Sequence, residues 1–308
     1  MTTIKKSQIR IGIDLGGTKI EIIALNNSGE AIYHRRVATP KGNYAETINV
    51  IANLIFEFEQ ELNCRAFVGI GMPGAISSAT GSVKNSNSVC INGKPFKQDL
   101  ELRLDRSIKI ENDANCFALS EAIDGAAVEA KVVFGVILGT GVGGGLIINK
   151  EVITGPNSIT GEWGHNPLPW LDEEESFNVI SCYCGKKSCI ETWLCGNGLS
   201  NSYSRLSKQK CSAIEVVEKA ESGDNYAQKS LLEYARRLAK SLASVINLMD
   251  PDIIVLGGGL SNIQQIYTSV PDMWGEYVFS DRVDTRLVSA KYGDASGVRG
   301  AAWLNNDL

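Results

Sequence analysis

Cys182, Cys184 and Cys189 fall within eight residues, and His165 lies seventeen residues before the first of them. Three thiolates and one imidazole form the donor set of a closed, tetrahedral zinc site, which is structural rather than catalytic chemistry. The competing reading is a group of buried free thiols, and that reading suits Cys64, Cys90, Cys116, Cys195 and Cys211. The second of the two histidines, His34, sits in an alternating stretch and reads as a surface side chain.

A second kind of chemistry lies in the glycine turns. Asp14-Leu15-Gly16-Gly17-Thr18-Lys19, Gly139-Thr140-Gly141-Val142-Gly143-Gly144-Gly145 and Gly257-Gly258-Gly259 each follow an apolar run. Without a Cβ in the way, backbone N–H groups in such turns can approach an anion. Asp14 at a strand end is placed to hold hydrated Mg²⁺. Any single turn can be no more than a tight hairpin; three together favour phosphate or nucleotide binding. None fits the GxxxxGK[ST] phosphate loop, and the GxGxxG match at Gly139, Gly141 and Gly144 is followed by strand residues, so the dinucleotide context fails.

Carboxylates complete the set. Glu111-Asn112-Asp113-Ala114-Asn115 sits where a strand gives way to a helix. Asp113 there either caps the helix or accepts a hydroxyl proton during phosphoryl transfer. Glu162 and Glu191 flank the Cys/His group. They read either as surface charge or as bidentate acceptors for sugar hydroxyls.

The elements that must position these residues alternate between strand and helix, which means an α/β protein. Strands are expected at Ile9 to Leu15, Lys19 to Leu25, Ala31 to Val37, Phe67 to Gly71, Ile108 to Glu111, Val132 to Leu138, Leu146 to Asn149 and Ile253 to Leu256. Helices are expected over Tyr44 to Leu62, Ala114 to Gly125, from Asp224 to Asp250-Pro251, from Ser261 and near Ser296. Placing Gly12 on Gly135 also brings Leu15 onto Leu138, so a strand–glycine turn–strand unit opens each half of the chain.

At 308 residues the chain exceeds what one core usually organises, and two lobes are expected. With 44% apolar and 21% charged residues, the composition is that of a globular protein and excludes a disordered or fibrous one. No apolar run is long enough to cross a bilayer, and Met1 to Arg10 carries no apolar signal core, so neither membrane insertion nor secretion is expected. Thirty basic against 35 acidic residues give a net charge of −5, which argues against broad nucleic-acid binding.

Taken together these motifs resemble the ROK family of bacterial sugar kinases and sugar-responsive repressors, from Ile11 to Ala302. The carrying residues are the Asp14–Lys19, Glu111–Asn115 and Leu138–Gly145 motifs, Gly161-Glu162-Trp163-Gly164-His165, and Cys182-Tyr183-Cys184-Gly185 through Cys189-Ile190-Glu191. The resemblance implies a two-lobed, actin-like ATPase fold of the ribonuclease H-like, hexokinase type. A small lobe of residues 1–116 plus 291–308 and a large lobe of 117–290 would close over sugar and ATP. It implies Asp113 as catalytic base and Asn87, Asn112, Asp113, Glu162, His165 and Glu191 as sugar contacts. ATP would be held by Gly12, Ile13, Asp14, Leu15, Gly16, Gly17, Thr18 and Lys19, by Gly139, Thr140, Gly141, Val142 and Gly143, and by Gly257, Gly258 and Gly259. Mg²⁺ would be held through water by Asp14, and structural Zn²⁺ by His165, Cys182, Cys184 and Cys189, the second ring nitrogen of His165 being left for the sugar. The family often has glycine where this chain has Ser188, so the turn before Cys189 is expected to differ.

Gly161–Trp170, Val83–Ser88 and Ser296–Trp303 look most like bacterial fructokinases that also accept mannose. The implied activity is an ATP:hexose 6-phosphotransferase of fructokinase type, with an N-acetylglucosamine kinase or glucokinase as the alternative. A cytoplasmic homodimer with a hexose substrate, and with neither nucleic-acid nor membrane partners, follows from the same resemblance. The repressor reading is disfavoured: the first strand begins at Ile9, leaving no room for a helix-turn-helix domain, and both Asp14 and Asp113 are intact.

Overall fold

A computed structural model describes residues 9–305. Most of the Met1–Arg10 segment discussed above therefore lies outside the described residues. The chain divides into two compact units. One comprises the chain up to Val128, Lys150–Thr160 and the stretch from Asp294 onward; the other comprises Glu129–Asn149 and Gly161–Gly293.

In the first unit five strands lie in the order Ala31–Ala38, Lys19–Leu25, Arg10–Leu15, Phe67–Met72, Lys109–Asn112. The first three are antiparallel neighbours and the last two join in parallel. Alternation along Arg10–Leu15 sends Ile11 and Ile13 to one face, where they join a core with Ile51, Ile55 and Phe58 of the Tyr44–Glu61 helix. Gly12 points to the other face beside its strand partner Gly69. A Cβ on Gly12 would lie 2.0 Å from the Val298 carbonyl oxygen, and one on Gly69 would lie 1.9 Å from that of Ala301. The Ser296–Trp303 helix therefore rests directly on the strand backbones, and only glycine permits that approach.

This packing corrects the domain boundary expected at residue 116, which falls inside the Asp113–Ile123 helix. That helix stays whole in the first unit because it packs against Ser296–Trp303: a Cβ on Gly300 would lie 1.6 Å from the Cys116 carbonyl oxygen. Buried ties hold the same contact. Ser296 Oγ donates to Glu121 Oε1 at 2.7 Å, and Arg299 donates to the Asp124 carboxylate.

In the second unit the strand order is Val142–Ile148, Val132–Leu138, Ile253–Gly257, Arg286–Ser289. The first pair is antiparallel and the next two are parallel, which repeats the central pattern of the first unit. An offset of 123 residues carries Lys19–Leu25 onto Val142–Ile148, so the internal similarity is a repeated structural unit. The repeat also shows where the expected glycine turn was drawn too long. The turn is only Gly139 to Gly141, and Val142 to Gly145 already pair with Leu138 to Gly135 as strand.

The Asn225–Met249 helix starts at Asp224, whose side chain accepts the Ala227 amide at 2.8 Å. It ends at Asp250, in left-handed conformation, immediately before Pro251. The helix expected from Ser261 is instead a short 3-10 turn, Gly259–Asn262, and the α-helix begins later, at Ile266–Trp274. Among the described residues no helix is long and apolar enough to cross a membrane.

Candidate active site

In the first unit, three chain segments end together at the C-terminal edge of the parallel strands. Asp14 lies in register with Gly71, Gly71 with Glu111, and Met72 with Asn112. The carboxyl of Asp14 is pushed up to about 6, first by burial and then by the negative charges of Asp113 and Glu21, against the pull of Lys19 and Arg36. A largely buried carboxylate with a second acid close by is the kind of group whose charge a hydrated divalent cation would relieve, so the donor set fits Mg²⁺ at Asp14.

Behind Asp14, in register, sits the buried Glu21. It accepts from Arg36 Nε at 2.7 Å, Arg36 Nη2 at 3.0 Å and His34 Nε2 at 2.8 Å, with Lys19 Nζ at 3.6 Å. Burial pushes Glu21 up, but these hydrogen bonds and charges outweigh it and the carboxyl ends below its ordinary range. His34 is exposed, as expected, yet it is tied to this buried acid. The turn after Asp14 is closed by the Gly16 amide donating to Lys19 O at 2.9 Å, and Thr39 Oγ1 braces it by donating to Gly16 O at 2.8 Å.

Asn112 is the N-cap of the Asp113–Ile123 helix and Asp113 its first residue. Asn112 Oδ1 accepts the Ala114 amide at 2.9 Å, and its Nδ2 donates to Gly74 O at 3.1 Å. Asn112 therefore holds the N-cap position, while Asp113 Oδ1 also accepts the Ala114 amide, at 2.9 Å. Glu111 is occupied as well, accepting from Asn115 Nδ2 and Thr154 Oγ1, each at 2.9 Å. Asn87 is exposed on a cavity of about 200 Å³ that it shares with Gly17, Thr39, Lys41 and Ser88. The Ser88 hydroxyl is buried with no hydrogen-bond partner among the described residues.

Three expected nucleotide contacts of the first motif are not surface groups. Gly12 and Ile13 are buried inside the strand, Gly12 against the Ser296–Trp303 helix and Ile13 in the core. Leu15 is likewise buried. The accessible part of this motif starts with Asp14 and resumes at Gly16, Gly17, Thr18 and Lys19.

In the second unit, one ring nitrogen of His165 and the sulfurs of Cys182, Cys184 and Cys189 lie within 4.8 Å of one another. His165 Nδ1 is 3.6 Å from Cys182 Sγ, and Cys184 Sγ is 3.7 Å from Cys189 Sγ. Zn–S bonds of about 2.3 Å and a Zn–N bond of about 2.0 Å in a tetrahedron require ligand separations of roughly 3.5 to 3.8 Å. The donor set thus fits zinc in chemistry, and these two pairs stand at the spacing that a tetrahedron requires. A metal on Nδ1 leaves Nε2 protonated, and Nε2 stands 3.0 Å from the Tyr183 hydroxyl, whose ring meets the imidazole edge-on. The family resemblance leaves this nitrogen for a sugar, whereas the structure sets it against Tyr183.

Ser188 does adopt the conformation that glycine would favour, with φ of +52°. The turn is held there by the Ser188 amide donating to Ile180 O at 2.7 Å. The five remaining cysteines divide. Cys116 and Cys195 are buried packing groups as expected, whereas Cys64, Cys90 and Cys211 are partly exposed.

Glu191 follows the third cysteine in the Ile190–Leu194 helix. One of its oxygens, Oε2, accepts the Val142 amide at 3.0 Å, so the carboxylate is not wholly available for the bidentate contact expected of it. Glu162 opens a 3-10 turn, Glu162–His165, that also carries the buried Trp163. Gly258, at φ of +81°, lies against Leu138: a Cβ there would sit 2.5 Å from the Leu138 carbonyl oxygen.

Two α/β units with the same strand order, a helix that opens on an acid in one and a glycine turn beside a Cys₃His cluster in the other, together with the family match below, define a sugar kinase of the actin-like ATPase fold. The chain belongs to the ROK family, whose sequence model matches residues 10–307. It is 39% identical over 297 residues to an N-acetyl-D-glucosamine kinase of Vibrio vulnificus (strain YJ016), covering 96% of this chain and 98% of that protein. Among solved structures it is similar to a ROK hexokinase from Thermus thermophilus, with 27% identity and a TM-score of 0.85 over 97% of this chain and 99% of that one. It is also similar to a ROK family glucokinase from Streptomyces griseus in complex with glucose and AMPPNP, with 25% identity and a TM-score of 0.78, covering 97% and 100% of the two chains.

Proposed function

We propose that the protein transfers the γ-phosphoryl group of ATP to the 6-hydroxyl of N-acetyl-D-glucosamine. The observation that carries this reading is the near full-length similarity to N-acetyl-D-glucosamine kinases, at a higher identity than the solved hexokinase and glucokinase reach. It displaces the fructose reading drawn from the Gly161–Trp170 and Val83–Ser88 stretches. Fructose and mannose stand behind N-acetylglucosamine and glucose as candidate substrates. The homodimer and cytoplasmic location implied by the family resemblance belong to the same reading.

Asp113 is the proton acceptor: it sits at a helix start beside the strand-end acid Asp14, and the capping role falls mainly to Asn112. A carboxylate poised in this way takes the proton of the attacking hydroxyl as the phosphoryl group moves across. Asn112, Asn87, Glu162, His165 and Glu191 orient the sugar by hydrogen bonds. The Gly16–Lys19 and Gly139–Gly141 turns offer amides to the phosphates, and Gly257–Gly259 lines the adenosine side. Mg²⁺ carried with the nucleotide would be held through water by Asp14 and supply charge neutralisation.

A coupled ADP-release assay across N-acetylglucosamine, glucose, mannose and fructose tests the reading. The highest kcat/KM is expected for N-acetylglucosamine. A higher value for fructose would return the assignment to fructokinase, and no turnover with any hexose would reject the kinase reading.

A further inference from the structure

The glycine turn of the second unit is held by residues that flank the Cys₃His cluster. The Glu191 carboxylate accepts the Val142 amide through Oε2 at 3.0 Å. The Gly196 amide, just past the Ile190–Leu194 helix, donates to Gly139 O at 2.8 Å. Trp163 Nε1 donates to Gly143 O at 3.1 Å. Within the turn the Gly139 amide donates to Gly141 O at 3.0 Å. A Cβ on Gly141 would lie 2.7 Å from Glu191 Oε2, so the turn backbone rests directly on the carboxylate.

Glu191 is in turn fixed from the cluster. Its helix is capped by Cys189, and the Ile190 amide donates to Asn166 O at 2.9 Å, one residue past His165. Glu191 Oε1 lies 3.9 Å from Cys182 Sγ. The cysteine cluster, the carboxylate and the turn therefore form one connected piece of hydrogen-bonded structure. A shift of the Ile190–Leu194 helix would move the Val142 amide and the Gly139 carbonyl together.

We propose that Glu191 is a positioning residue for the phosphate turn. By holding the Val142 amide it fixes the shape in which Thr140 and Gly141 present their backbone donors to a nucleoside triphosphate, the Gly139 amide being spent on closing the turn. The inference rests on the reading of this turn as a phosphate site, and it adds to the sugar contact of Glu191 a second task that no sugar is needed to reveal. Pre-ordered donors bind without further ordering cost, so loosening this turn weakens nucleotide binding even though Glu191 touches no phosphate.

The test uses the full chain and measures the Kd of AMPPNP by calorimetry without sugar, alongside KM values for hexose and ATP. In Glu191→Gln the side-chain carbonyl still accepts from Val142, so AMPPNP affinity is expected within about twofold of wild type while the hexose KM rises. In Glu191→Ala the acceptor is gone and AMPPNP affinity is expected to fall about tenfold or more, the range of a hydrogen bond to a charged group. Trp163→Phe, which removes the donor to Gly143 O, is expected to weaken AMPPNP severalfold and leave the hexose KM unchanged. Zinc content near one per chain, and a cooperative melt, identify folded variants.

Equal AMPPNP affinity in wild type and Glu191→Ala, or equal losses in the Ala and Gln variants, would overturn the inference about Glu191 and leave the kinase reading standing. Tighter AMPPNP binding in Glu191→Ala would overturn it too, by making the carboxylate an obstacle. Wild type that fails to bind AMPPNP at all would overturn both. Should Glu191→Ala not fold, Trp163→Phe decides alone: unchanged AMPPNP affinity there would sink the proposed clamp.

Discussion

Asn112 and Asp113 share one backbone donor: the Ala114 amide lies 2.9 Å from Oδ1 of each. The arrangement explains how a strand can pass into a helix and still present an acid at the junction. Asn112 adopts extended geometry and takes the N-cap position, so the helix start is satisfied without depending on Asp113.

From this follows the clearest catalytic expectation. Asp113→Asn removes the proton acceptor while leaving the Asn112 cap in place. Turnover should fall by about 10² to 10⁴, the range assigned to general base catalysis, while hexose binding measured by calorimetry stays close to wild type. Near-normal kcat would exclude Asp113 as the base.

The Cys₃His geometry calls for metal analysis. Purified protein should carry about one zinc per chain, and Cys184→Ser or chelation should lower both zinc content and Tm, because a metal would add four ligand bonds to a loop otherwise closed by a few backbone hydrogen bonds. A fully active protein with no bound zinc would refute the site.

Ser188 holds a left-handed conformation that costs a non-glycine residue roughly 1–2 kcal/mol. Ser188→Gly relieves that strain at the expense of a more flexible unfolded chain. A net gain of about 0.5–1 kcal/mol in urea unfolding is expected, with zinc content unchanged. Loss of stability would mean that the serine contributes more through its surroundings than its backbone costs.

Acid stability should depend on Glu175. It is fully buried, accepting from Arg237 Nε at 2.8 Å and Lys240 Nζ at 2.5 Å, and it closes the capping box of the Glu173–Phe177 helix with Asp172. Burial alone would raise its pKa, but the hydrogen bonds from Lys240 and Arg237 outweigh it and hold the carboxyl below its usual range. A lowered native pKa contributes stability that is present above the unfolded value, near 4.3, and is lost as pH falls through the native one. Wild type should therefore lose stability below about pH 4, whereas Glu175→Gln should start less stable at neutral pH and lose less on acidification. Parallel acid profiles for the two proteins would remove Glu175 from this role.

Much of this protein was legible in one dimension because the signals were local. Buried strands announce themselves by apolar runs, turns by glycine, and the long helix by its spacing, its Asp224 start and its Pro251 stop. The Cys₃His set was legible for the same reason, since few residue types can bind zinc and four of them cluster. The constant offset was legible at Gly12 and Gly135 and at Leu15 and Leu138, but the extent of the strand Val142–Ile148 was not, because the glycines at 143 to 145 read as turn. Tertiary structure decided what each residue type was used for, because that depends on which side of the backbone a neighbour lies. Gly12 and Gly141 look alike in the sequence, yet one admits a helix against a sheet and the other lies on a carboxylate. Glu191 reads as a free acid until the fold brings Val142 within 3.0 Å of it, forty-nine positions away in the chain. The hexose itself is read from relatives rather than motifs, since sugars that share hydroxyls are distinguished by the shape of a pocket wall that no short run of residues encodes.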